Sequence, residues 1–599
     1  MFNAHSTPLQ QTTTEEPRST RPLWANVQRL RGLALWARTH WAGLTLSLIL
    51  LAGAVLRLYI LFKSHGIGDG DEALTGVMAL DIQKGEFPAF TYGQPYMAAT
   101  EAYFTAMVYY LTGFHSWGMK VLPFLVSLGL IWLNYLLGRR FLDSKQAGLF
   151  AAALTAVPSL YFAVLGLRAY NHSTETMFGG QLLILVAGAI LWGKPKDEAN
   201  QKAWKWGYTR REWLLWLALG LVAGVNFYGH GLSLFFFVPV IFFLFLKDKL
   251  FFVRPTAAAT ILGFLVGSFP WWLYNLLTNW HTLGYYFKPA DPNKKPALDV
   301  LGHFFGYSWP LSTGAFNYWF VTPVVIGIFL NVVFSLAIIG WVVARWRGLV
   351  GWFWLSFGPS KPVDLLLLTA LLMPLLYLLW GFGNVAFTDL DTTGRYLLPL
   401  MSILPVLVGG GLAKFFESFP GKIPALHNWK ETRQKGVYYG LGIILLVAIL
   451  GGNLWLYRGV DYPSVFQSPY FPQIRPPLDN GPLINYLKSQ GIEYATCNHW
   501  VGNRIILDSA EAVKCVDYHD LSVGGLDRFE KYSQAIKQPG LRVAFVLLNL
   551  DDGAVPMEKR LQQLGVTYTR HDFLPYIVII PTSRPVSPDE VIEQLHYPL

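Results

Sequence analysis

From residue 42 onward the chain alternates long apolar runs with short polar intervals. The runs lie near 42–63, 121–138, 146–165, 176–193, 213–229, 231–246, 255–277, 317–344, 364–382, 395–413 and 437–457. A helix needs about 17–25 apolar residues to cross a bilayer, so the pattern predicts eleven transmembrane helices. The first 41 residues hold no such run. They begin with a threonine-rich, proline-punctuated polar stretch that reads as largely disordered, followed by Arg18, Arg21, Arg29, Arg31 and Arg38. The run at 42–63 is too long for a signal-peptide core, so a retained first helix with a cytoplasmic N-terminus is expected.

After residue 457 the period changes. Helical segments at 483–491, 501–510, 526–537, 555–565 and 588–595 alternate with strand-like segments at 492–497, 512–518, 543–550, 566–573 and 576–581. The expected architecture is therefore a polytopic all-α membrane region, 42–457, followed by an α/β domain, 458–599. An odd number of spans places that domain outside the cytoplasm.

Composition agrees with a membrane protein. Hydrophobic residues make up 53% and charged residues only 14% of the 599, against roughly 25% charged in soluble domains, and the mean hydropathy is +0.35. A formal charge of +10 would suggest nucleic acid in a soluble protein. Here it follows the topology. The intervals expected in the cytoplasm carry 25 Lys/Arg and the opposite ones 8, which fixes the orientation as N-in, C-out and removes the need for a nucleic-acid partner. Cys497 and Cys515 fall on neighbouring predicted strands, which leaves both a disulfide and two buried free thiols open.

The outward intervals hold the candidate chemistry. Asp69, Asp71 and Glu72 stand among glycines just past the first helix and before an amphipathic segment carrying Ala73, Leu74, Val77 and Met78. One acid is explained as a helix cap; three in four residues are not. Glu101 sits among aromatic residues in a helix expected to lie along the membrane surface. The second interval offers Arg168, Tyr170, His172 and Glu175. Asp389 and Asp391 precede Arg395 and Tyr396, and arginine suits a phosphate at that depth. Arg57, inside the first span, is expected to snorkel to the headgroups. No P-loop, GxSxG, HExxH or EF-hand pattern is present.

The segment "GDGDEALTGVMALDIQKGEFPAFTYGQPYMAATEAY", with "LRAYNHSTET" and "GRYLLPL", resembles the C-type membrane glycosyltransferases, in the bacterial branch related to protein O-mannosyltransferases and the lipid A aminoarabinose transferase. The likeness spans about 40–410, and "YATCNHWVGNRIILDS" resembles the extracytoplasmic tail of that branch, with Cys497 a departure. The resemblance implies a sugar donor on a polyprenyl phosphate and a hydroxyl acceptor on protein, lipid or glycan. It implies a base at Asp71 or Glu72, with Asp71 preferred, and a second acid at Glu175, where the family usually has Asp. Polyprenyl phosphate is a good leaving group, so the reaction needs a base for the acceptor and a cation for the phosphate, for which Arg395, Arg168 and Tyr396 are candidates. A single displacement inverts the anomeric centre. The acids have the chemistry to hold a magnesium or manganese ion, though no spacing demands one. A lipid-linked polysaccharide polymerase or ligase is a rival reading. So is a secondary transporter, although the spans lack the midplane charges and repeated halves that transport favours.

Overall fold

The computed structural model describes residues 23–169, 173–193, 208–286, 295–317, 319, 321–379, 394–414, 431–467, 477–517, 528–548 and 554–591. All eleven apolar runs fall on helix. Among the described residues six helices are long and apolar enough to cross a bilayer: His40–Lys63, Ser116–Phe141, Thr174–Trp192, Arg210–Gly229, Val324–Ala344 and Gly436–Leu456. Pro255–Gly267 and Phe269–Leu277 form a pair bent by 65°, and Gly231–Lys247, Pro362–Leu378 and Leu398–Lys414 are shorter apolar helices. The run at 146–165 is split into Lys145–Ala156 and Leu160–Leu165. Pro158 disfavours helix at the residue before it, and Ser159 restarts the helix by capping Phe162 N–H at 3.4 Å.

Helix Leu398–Lys414 is buried over nearly its whole length, which makes it the axis of the bundle. Polar side chains pin it there. Gln181 Nε2 and Asn134 Nδ2 both donate to the Ser402 carbonyl, at 2.7 and 3.1 Å, and Asn134 also donates to Thr155 Oγ1 at 2.7 Å. Arg57 does not snorkel. It is buried, donates from Nε to Ser127 Oγ at 2.8 Å, and reaches the carbonyls of Thr155 and Ala156 at 3.0 and 3.1 Å. Those carbonyls end helix Lys145–Ala156 and have no partner within it, so the guanidinium serves as its C-terminal cap. A closer contact joins Arg210–Gly229 to Pro255–Gly267. A Cβ at Gly220 or Gly224 would lie 2.0 or 2.2 Å from the carbonyls of Thr260 or Phe264, and Gly263 and Gly267 meet the other helix in the same way. This is a reciprocal GxxxG crossing of the kind that lets membrane helices touch backbone to backbone.

A short hairpin, β1 (Phe90–Thr91) and β2 (Gln94–Ala98), belongs to the first long interval. The C-terminal sheet contains β3 (Tyr494–Cys497), β4 (Lys514–Asp517), β5 (Val543–Leu548), β6 (Tyr568–Phe573) and β7 (Tyr576–Pro581), in the order β4-β3-β5-β7-β6. β3 runs parallel to β4 and β5, while β7 is antiparallel to β5 and β6. β5 and β7 are buried throughout, as expected for central strands covered on both faces. One face packs on Met557, Leu561 and Val591. On the other face, Ile505, Ile506, Val546 and Val578 share a single apolar core with Leu74, Val77, Met78, Ala102 and Met119. The first interval and the α/β domain are thus two halves of one core.

Cys497 and Cys515 are buried free thiols. The register sets their spacing. Cys515 pairs with Ala495, and Cys497 pairs with Asp517, so the cysteines are diagonal neighbours two residues apart. Ladder spacings put their Cα atoms roughly 8 Å apart, and their side chains, on one face of the sheet, are close enough to hydrogen-bond as thiols.

Candidate active site

The three acids of the first interval are explained by where one helix begins. His65 and Gly66 take positive φ and turn the chain off the end of the first span. Asp69 then caps helix Gly70–Gln83, its Oδ1 accepting from Glu72 N–H at 2.9 Å. Asp71 and Glu72 fill the first turn, where the helix dipole favours negative charge. All three are at least 94% buried, and unpaired carboxylates at that depth would be costly.

Each acid meets a base from elsewhere in the chain. Arg168 donates from Nη1 to Asp69 Oδ2 at 2.6 Å and from Nη2 to the carbonyls of Val465 and Gln467 at 2.7 and 3.1 Å. Burial pushes the Asp69 carboxyl up to about 6 against the pull of Arg168. Glu72 Oε1 accepts from Lys120 and, at 2.8 Å, from Ala169 N–H. Lys120 also lies over the Phe466 ring, 4.5 Å from its centroid. Asp71 faces the α/β domain. Its Oδ1 is 2.9 Å from His499 Nε2 and 3.8 Å from Arg528 Nη2. Burial pulls the His499 imidazole down, but the hydrogen bond and charge of Asp71 outweigh it, so the net displacement is upward.

The approach of the two elements is close enough to require glycine. A Cβ at Gly70 would sit 2.7 Å from the His499 carbonyl. Asn503 Nδ2 donates to the Gly70 carbonyl at 3.0 Å. Arg528 also donates to the Tyr92 carbonyl at 3.1 Å, and so ties the β1–β2 hairpin to the same cluster.

The expected residues divide into two groups. Asp71, Glu72 and Arg168 come together as described. Glu101, in the first turn of Thr100–Thr112, is buried, and Glu175 turns its buried oxygens toward it. Two facing carboxyls need a proton or a ligand hydroxyl between them. Tyr396 packs, partly buried, on the apolar core of the bundle. Tyr170, His172, Asp389, Asp391 and the Arg395 side chain lie outside the described residues. Lys120, His499 and Arg528 are functional neighbours that the sequence did not single out. Among the described residues no three of His, Cys, Asp and Glu gather as a cation site. The first-interval acids already face basic side chains, so the cluster as it stands does not fit a divalent ion.

Two solved structures of one protein share this fold. ArnT from Cupriavidus metallidurans, in a crystal structure bound to undecaprenyl phosphate, superposes with a TM-score of 0.55 at 12% identity, covering 91% of this chain and 98% of that one. Its apo state gives 0.55 at 13% identity over 94% and 100%. The Archaeoglobus fulgidus oligosaccharyltransferase tethered to an acceptor peptide gives 0.49 at 14% identity over 93% and 78%. No family model matches, and no curated protein matches. The chain has the ArnT fold, the one implied by the first-interval motif.

Proposed function

We propose that this chain is a membrane glycosyltransferase that moves a sugar from a polyprenyl phosphate to a hydroxyl acceptor on the extracytoplasmic side, with inversion at the anomeric carbon. The observation that carries the reading is the position of Asp71. It is a buried carboxylate at a helix N-terminus, held between the helical bundle and the α/β domain, in a chain whose fold matches a protein crystallised with undecaprenyl phosphate. In this reading the N-terminus is cytoplasmic, the chain crosses the membrane eleven times, and residues 458–599 are extracytoplasmic. The threefold Lys/Arg bias between the two sides supports that orientation.

Asp71 accepts the proton of the acceptor hydroxyl as its oxygen bonds to the anomeric carbon. The bond from that carbon to the phosphate oxygen breaks, and the polyprenyl phosphate leaves with the electron pair. Asp69 and Glu72, each neutralised by its own cation, hold the helix that aims Asp71. The two terminal nitrogens of Arg168 are engaged by Asp69 and two carbonyls, so the phosphate role passes to Arg395 and Tyr396. In this reading Glu101 and Glu175 take hydrogen bonds from the hydroxyls of the bound sugar, and membrane lipids surround the spans where the polyprenyl tail lies.

The test is transfer from a panel of radiolabelled polyprenyl-phosphate sugars by detergent-purified protein. Wild type should release label from the lipid, and Asp71→Asn, checked for folding, should lose more than about a hundredfold, the usual range for removing a general base. Release equal to wild type in Asp71→Asn moves the base elsewhere. No release from any donor defeats the transferase reading.

A further inference from the structure

The α/β domain reaches Asp71 across 428 positions of sequence, and it does so with an imidazole and a guanidinium rather than with an apolar lid. We propose that His499 and Arg528 are positioning residues for Asp71, so that the α/β domain completes the active site. The inference rests on the reading of Asp71 as the base.

Three features support it. His499 is the first residue of helix His499–Asp508, which is capped by Asn498 through a 2.9 Å bond to Trp500 N–H. The imidazole therefore extends from a fixed helix end whose positive dipole also faces Asp71. Arg528 is held from its other side, donating to the Tyr92 carbonyl at 3.1 Å and facing the Gln94 side-chain amide. Its guanidinium cannot swing toward Asp71 or away from it without loosening the hairpin. Finally, Asp71 Oδ1 receives both groups. This holds one carboxylate oxygen by a hydrogen bond from the imidazole and a longer ion pair to the guanidinium.

The surrounding charges show why a cation is needed there. On its own helix Asp71 has Asp69 and Glu72 beside it. Their counter-ions are Lys120 for Glu72 and Arg168 for Asp69. From β4, Asp517 acts on His499 and reinforces its proton. Without His499 and Arg528, the Asp71 carboxylate would lie beside two like charges with less cationic compensation, and its proton affinity would rise.

The experiment uses the full-length protein in detergent and the polyprenyl-phosphate sugar on which wild type is most active. His499→Gln should lower kcat by roughly tenfold to a hundredfold with KM changed by less than about threefold, as for an interaction felt mainly in the transition state. The acid limb of its pH–rate profile should move to higher pH, because a base that has lost a neighbouring cation protonates more readily. Arg528→Lys should retain most activity and Arg528→Gln should not. In Asp71→Asn, adding His499→Gln should cost nothing further, since the two act as one unit. A measurement independent of turnover guards against misfolding: in protein carrying 13C-labelled histidine, the His499 titration should move down in Asp71→Asn. An unmoved His499 titration overturns the proposal. So does a His499→Gln enzyme with wild-type kcat and pH profile while Asp71→Asn is dead, an outcome that leaves Asp71 as the base. If Asp71→Asn is fully active, the base reading fails, and this proposal fails with it.

Discussion

Replacing Lys120 by methionine isolates the most buried charge pair in the site. Methionine is one atom shorter but follows the lysine stem, so little cavity is created and the loss is mainly electrostatic. Lys120 and Glu72 are 1% and 0% exposed. Without the ammonium, Glu72 keeps a single donor, Ala169 N–H at 2.8 Å, and its Oε2 has none. Removing one partner of a buried pair costs about 3–5 kcal/mol. The reciprocal change, Glu72→Gln, should be milder. The amide still accepts from Ala169, and the stranded ammonium keeps the face of Phe466 at 4.5 Å, a contact worth about 2 kcal/mol when desolvated. A loss of about 1–3 kcal/mol is expected. The double variant removes both charges and should recover to within about 1–2 kcal/mol of wild type, a coupling of about 2 kcal/mol or more. Denaturant unfolding of detergent-purified protein, followed by tryptophan fluorescence, gives the ranking. If Lys120→Met alone is as stable as the double variant, Glu72 is not a stranded carboxylate and the reasoning fails.

Three further outcomes follow from other parts of the structure. Because His499 binds its proton more tightly folded than unfolded, its share of the docking stability is fully present below about pH 6.5 and is lost as pH rises through the raised folded value. Hydrogen exchange across helix His499–Asp508, corrected for intrinsic rates, should show that step in wild type and not in Asp71→Asn. Gly224→Leu should abolish a monodisperse peak in size-exclusion chromatography, since even a Cβ would meet the Phe264 carbonyl at 2.2 Å, whereas Gly229→Ala, whose nearest neighbour is 3.8 Å away, should behave as wild type. The denaturant midpoint of the α/β domain should be the same with and without reductant, and thiol titration after unfolding should find two free cysteines, because Cys497 and Cys515 are buried free thiols.

The five C-terminal strands and the helical character of all eleven apolar runs were legible because both rest on local periodicity. The acid cluster was legible too, since three acids in four residues exceed what capping needs. Its partners were not. Lys120, Arg168 and His499 are 48, 99 and 428 positions from the acids they meet, and no local pattern encodes such pairings. Arg57 was misread for a related reason: its depth in the span suggested lipid headgroups, while the carbonyls it caps belong to a helix about 100 residues away. The helix crossing, by contrast, has a local signature. Gly220/Gly224 and Gly263/Gly267 carry GxxxG spacing on two successive runs, which announces a backbone-to-backbone crossing.

The single core shared by residues 73–119 and 483–580 also sets a timetable. At roughly 5–20 residues per second, His499 is synthesised about 20–90 s after Asp71. Throughout that interval Leu74, Val77 and Met78 have no sheet to pack against and Asp71 has no counter-ion. The nascent chain must therefore be shielded, either by a holding factor or by the membrane surface itself. The same delay acts as a safeguard. A chain that stops before His499 has its apolar runs and all three acids but neither of the groups that meet Asp71, so on the proposed reading an unfinished chain in the membrane lacks a complete site.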